Sequence, residues 1–265
     1  MIDKGLLLSI AVMVLVVVGI SRRFEPRTMG REELVDLVLP AVFVGVAVAR
    51  LTAVAFEDPS ALTRFGDLLI IRGGMELWAG ALAGACWLAV SDHRRQRGVA
   101  WFRRLADVAP YGLAAMSAYE ATCLLRDGCF GPSSAFGLPP GGGGPRQFPV
   151  GLAAAAGIAA VAALARRAAR TDAPAGLVVA VVGLAGVRSL ASVWLPRVSA
   201  GFTRQHRESL VVLVGGVVAG IAVVAWRSRR ERALPGTTVS SSNGGGGGRK
   251  DENSPSQSQE IDPCL

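Results

Sequence analysis

Six charged side chains stand in or at the ends of long apolar stretches: Arg50, Arg72, Glu76, Glu120, Arg126 and Arg188. A charge at membrane depth is costly, so each calls for a partner, a water-filled cavity or a function. Arginine offers a planar fork of N–H donors that fits phosphate oxygens. A glutamate offers a proton acceptor or an ion-pair partner. Arg50, at a span end, fits snorkelling to the headgroups. Arg126 and Arg188 are the stronger functional candidates. Glu120 lies about 1.7 helical turns before Arg126 and reads as its ion-pair partner. His206, the other titrating residue near a span end, reads as a solvated loop histidine.

Two segments depart from ordinary spans. In the first, Ile71 to Gly80, a Gly-Gly pair (Gly73, Gly74) stands between Arg72 and Glu76. The second runs from Leu125 to Gly137, contains Arg126, Gly128, Cys129 and Phe130, and leads into a Pro/Gly-rich loop closed by Pro145-Arg146-Gln147-Phe148-Pro149. Irregular backbone at membrane depth survives only where protein or a water-filled cavity surrounds it. The four cysteines, Cys86, Cys123, Cys129 and Cys264, show no C-x-x-C spacing. They imply neither a disulfide framework nor a zinc site, and Cys264 is not in a C-a-a-X box. No metal or soluble cofactor is implied.

The elements that carry these residues are expected to be membrane helices. Hydrophobic residues make up 51% of the 265 and charged residues 18%, with a mean hydropathy of +0.42. Runs such as Leu6–Ile20 and Leu210–Trp226 approach the ~20 residues that cross a bilayer. Spans are expected at 5–20, 34–56, 67–90, 105–125, 148–165, 174–195 and 209–226. The fold class is thus an all-α integral membrane protein of seven helices. Gly80 and Gly84, four residues apart, offer a close helix contact, although Gly and Ala are frequent throughout. Met1–Ile20 has a basic residue before an apolar stretch but no small-x-small cleavage site, so it reads as a retained first helix.

Charge tests the count. The connections after spans 1, 3, 5 and 7 hold sixteen arginines, whereas the N-terminus and the other connections hold seven basic residues. The positive-inside rule then places the N-terminus outside and the C-terminus in the cytoplasm. The formal net charge of +8 lies between apolar runs, which argues for membrane lipid and against nucleic acid. Residues 1–233 form the expected membrane domain. From about 234 the chain turns to Ser, Gly and polar residues and reads as a disordered cytoplasmic tail over 234–265.

Four stretches together resemble the prolipoprotein diacylglyceryl transferases, seven-span enzymes of bacterial inner membranes. Arg72-Gly73-Gly74-Met75 with Gly80 and Gly84 is similar to that family's Gly-Gly helix start. Arg126-x-Gly128-Cys129-Phe130, with Gly137 closing, is similar to its signature. Arg146-x-x-Pro149 resembles its entry to the next span, and Arg188 followed by Gln205 resembles its C-terminal pattern. The resemblance runs from about 70 to 226. It implies transfer of diacylglycerol from phosphatidylglycerol to the lipobox cysteine of a prolipoprotein, in the cell inner membrane. Trp78 stands where the family has a histidine, and tryptophan cannot accept a proton. Ser192 and Leu195 stand where the family has Glu and Arg, with Arg197 two residues late.

In the chemistry so implied, a thiol attacks the glycerol carbon beside the phosphate, and glycerol phosphate leaves. Arg126 is expected to neutralise the phosphate, supported by Arg146 and by Arg188 or Arg197. Arg72, Gly73, Gly74, Gly128 and Gly137 are expected to shape the substrate site. Glu76 is the nearest candidate base, though i and i+2 do not share a helix face. The expected partners are phosphatidylglycerol, lipobox peptides and membrane lipid. The alternatives are an inactive relative that binds anionic phospholipid, a small transporter (although no inverted repeat is visible) and a structural assembly protein.

Overall fold

The computed structural model describes residues 4–24, 26–57, 59–60, 76–95, 101–122, 130–139, 144–194 and 204–233. Within them the chain forms seven helices: α1 (Lys4–Arg23), α2 (Arg31–Glu57), α3 (Leu77–Arg95), α4 (Trp101–Ala121), α5 (Val150–Thr171), α6 (Ala173–Trp194) and α7 (Arg204–Ala233). One short strand, β1 (Ser133–Leu138), lies between α4 and α5, an exception to the all-α expectation. By contact the chain separates into two units, Met1–Ala225 and Trp226–Leu265. The expected tail, 234–265, lies outside the described residues.

There is one helix for each expected span, and most run beyond the apolar stretch. α5, expected to end at 165, continues to Thr171. α7, expected to begin at 209, starts at Arg204. Polar turns prolong these helices because the i→i−4 ladder does not require apolar side chains. Four helices are long and apolar enough to cross a membrane: Glu32–Phe56, Val150–Thr171, Ala173–Trp194 and His206–Trp226, with a shorter apolar stretch at Leu77–Ser91. That is the composition of a membrane protein.

α4 is absent from those four because it carries Arg103, Arg104, Asp107 and Glu120. It packs against α1, α3, α5 and α6, and three of its charges are matched internally. Arg104 pairs with Glu33 of α2 at 2.8 Å. Asp107 Oδ2 accepts from the Thr28 N–H at 2.8 Å and the Thr28 hydroxyl at 2.6 Å. Glu120 pairs with Arg188 of α6. Buried charges persist when paired and hydrogen-bonded, so a helix too polar to face lipid can hold the centre of the bundle.

α2 and α3 cross at bare backbone. A Cβ on Gly80 would come within 2.7 Å of the Gly45 carbonyl oxygen, and one on Gly84 within 3.1 Å of the Ala41 carbonyl oxygen. The contact expected of Gly80 and Gly84 is therefore present, and α2 supplies its other half. α4, α5 and α6 enclose an apolar core around Leu113, Ile158, Ala165 and Ala180. Val211, Val214, Val218, Ile221 and Val224 of α7 are exposed, as suits a lipid-facing helix.

Candidate functional site

The start of α3, the end of α4, the end of α6 and the start of α7 carry most of the described polar residues picked out by sequence. Glu76 sits just before α3, where its N–H donates to the Ala49 carbonyl of α2 at 3.1 Å and its own carbonyl caps the helix through the Gly80 N–H. This fixes the entry of α3 against α2. Its carboxylate faces Arg204 in the first turn of α7, with Nε 3.6 Å from Oε1. Arg204 also holds Glu208 at 2.8 Å, the i,i+4 pair on the same helix, and its guanidinium lies 3.3 Å over the Phe56 ring. Glu76 is thus engaged with an arginine of α7.

Arg188 and Glu120 form an ion pair of 2.5 Å, half-buried on the arginine side. Glu120, expected to serve Arg126, has Arg188 as its partner among the described residues. Arg50, expected to snorkel, is half-buried on α2.

Trp78 donates its indole N–H to the Ser209 hydroxyl at 3.1 Å, tying α3 to α7. One turn before Ser209 on the same face of α7 is His206. It was expected in a solvated loop, but only 6% of its surface is exposed. The physical reason is the early start of α7: position 206 belongs to the first turn and points into the bundle. Its Nδ1 lies 2.5 Å from the Ser192 hydroxyl oxygen, and the same hydroxyl lies 2.8 Å from the Ser189 carbonyl oxygen. The imidazole is thereby held by the end of α6, and a neutral imidazole can accept a proton. The Ser189 hydroxyl is buried with no hydrogen-bond partner among the described residues, a polar atom that a ligand could satisfy.

Beside these helix ends the chain doubles back. The Gly131 N–H donates to the Phe148 carbonyl (2.8 Å), the Ser134 N–H to the Arg146 carbonyl (2.9 Å) and the Phe148 N–H to the Pro132 carbonyl (3.0 Å). These bonds clasp 131–134 to 146–148 as an antiparallel pair. Gly137 allows a further approach, since a Cβ there would stand 2.5 Å from the Gln147 backbone. Phe148 meets Trp194 edge to face, with centroids 5.7 Å apart, which docks the clasp on the end of α6. Arg146 is exposed, so its backbone, and not its buried charge, serves the structure.

Of the residues assigned by sequence, Glu76, Arg188, Gly137 and Arg146 are described. Arg72, Gly73, Gly74, Arg126, Gly128 and Arg197 lie outside the described residues. Sequence reasoning named His206 but read it as solvated, and it missed Ser209; their i,i+3 spacing at the head of an apolar run was the available signal. Among the described residues no cluster of His, Cys, Asp and Glu could hold a metal ion. No protein-family model matches the chain, and no curated protein matches it.

Proposed function

We propose that the chain is a divergent diacylglyceryl transferase, acting from the cell inner membrane as a seven-span protein with its N-terminus outside. It would take diacylglycerol from phosphatidylglycerol and place it on a lipobox cysteine. The four sequence stretches suggest the reaction. The observation that carries the reading further is His206: a buried histidine, held by Ser192, on the helix that Trp78 bonds. The family's histidine is missing at 78, and α7 supplies one from across the contact.

In this reading the thiol proton passes to the His206 imidazole. The thiolate forms a C–S bond at the glycerol carbon, the C–O bond to phosphate breaks, and glycerol phosphate leaves with the proton returned by His206. Arg126, supported by Arg188 or Arg197, faces the phosphate charge as it shifts to the leaving group. Glu76 holds Arg204 in place of acting as the base. Arg72, Gly73, Gly74, Gly128, Gly137 and Arg146 are the residues assigned to substrate binding in this reading.

A second reading has its own observation. Arg188 and Arg204, described arginines of the cluster, both carry carboxylate partners and so have less charge to offer a leaving phosphate, which favours a relative that binds anionic phospholipid without transferring it. The experiment that separates the two uses the purified protein in phosphatidylglycerol vesicles with a lipobox peptide. Release of glycerol phosphate that needs the peptide thiol, and stops with a Cys→Ser peptide, is expected of the transferase. Phosphatidylglycerol binding with no release would leave the second reading.

A further inference from the structure

A second arginine cluster lies toward the opposite end of α4, against α1 and α5. Arg27, Arg166, Arg167 and Arg170 line the mouth of a cavity of about 610 Å³ between α1 and α5, with α4 as its floor. From Asp107 at this mouth to Glu120 at the other site, α4 rises by roughly 20 Å, so the two places are separate.

The charges at the mouth are arranged. Arg27 donates through Nη1 to the Arg170 carbonyl at 2.9 Å. The Arg166 guanidinium stacks 3.7 Å over the Phe24 ring. Asp107, the one carboxylate in the lining, is committed elsewhere: Oδ2 accepts from the Thr28 N–H and hydroxyl and from the Arg27 N–H. Four arginines therefore line the opening against one carboxylate, itself hydrogen-bonded to Thr28 and Arg27. Behind them the cavity is apolar. On α5, Ala159, Ala163, Arg166 and Arg170 follow at i, i+4, i+7 and i+11, one face of a helix. The stripe passes from alanine to arginine over roughly 17 Å, and Ala159 and Ala163 are exposed. Val16 and Ile20 of α1 stand across from it.

We propose that this groove holds an anionic glycerophospholipid of the leaflet on that side, with its phosphate among Arg27, Arg166 and Arg170 and one acyl chain along Ala159 and Ala163. Charge complementarity selects the headgroup, since a zwitterionic lipid would bring an ammonium to the same arginines. The alanine face selects a chain, because a soluble phosphate has no use for an apolar slot. The site does not rest on the transferase reading and needs no catalysis. Generic contacts of basic loops with an anionic leaflet lack such a slot.

The test is native mass spectrometry of the full chain taken from vesicles of phosphatidylglycerol and phosphatidylcholine. The wild type is expected to retain phosphatidylglycerol selectively. The double variant Arg166→Gln, Arg170→Gln is expected to lose retention by roughly tenfold or more, while Arg103→Gln, an exposed arginine of α4 outside the groove, changes it little. Ala163→Trp removes no charge and sits at an exposed position; it is expected to lower retention as well by filling the slot. Retention unaffected by Ala163→Trp would overturn the proposal even if the double variant failed to fold, as would displacement of the lipid by inorganic phosphate, which would mark a free-phosphate site.

Discussion

His206 shows how much rests on one residue's placement. With a span beginning at 209, position 206 falls in solvent; with α7 beginning at Arg204 it is buried against Ser192. An offset of about one turn moves a histidine from an inert loop to a buried place against Ser192. Arg188 was legible as a functional or structural charge because its cost in a membrane demands an account. Its partner was not legible, since Glu120 lies on another helix and nothing local links them. The pair makes a stability prediction. Arg188→Met alone should destabilise the protein by about 3 kcal/mol, because Glu120 is left unpaired in a largely buried place. Arg188→Met with Glu120→Leu should recover most of that loss. Thermal unfolding of both variants in one detergent measures it, and equal losses would mean that the pair contributes no coupling.

At the scale of elements, the α2–α3 crossing is the clearest consequence of small residues. Gly45 and Gly80 face each other's carbonyl oxygens, so any side chain at either must push the helices apart. Gly80→Val should cost about 1–3 kcal/mol as an overpacking substitution, read as a lower unfolding temperature. Gly215→Val on α7, where a Cβ would meet nothing within 4 Å, should change little. If Gly80→Val melts like the wild type, the close crossing is wrong. The run Gly80-x-x-x-Gly84 pointed to this contact, but the partner glycine on α2 could not be read from spacing. The clasp of 131–134 on 146–148 was less legible still. Its Gly and Pro content signalled irregular backbone, whereas the strand pairing depends on which carbonyls remain available once α4 and α5 are placed. The arginine-mouthed groove joins three elements, and no single stretch of sequence announces it.

For the whole molecule, the seven helices of the described residues were readable from apolar runs, whereas four of them are long and apolar enough to cross a membrane. α4, whose charges are answered by Glu33, Thr28 and Arg188, is more polar because it packs among the other helices. Seven crossings with the N-terminus outside predict that a reporter at residue 97 is cytoplasmic and one at residue 142 is external, each checked by labelling of an introduced cysteine in intact cells. Labelling of both from one side would break the seven-span topology and with it the placing of the two arginine clusters on opposite leaflets. The most direct test of the central claim is the mass of a lipobox peptide after incubation with the purified protein in phosphatidylglycerol vesicles, with His206→Ala alongside. The account predicts a thioether-linked diacylglyceryl adduct from the wild type and a rate at least about 100-fold lower from a folded His206→Ala protein, the scale of general-base catalysis. No adduct from a folded, phosphatidylglycerol-binding wild type, or an undiminished rate from His206→Ala, would contradict it.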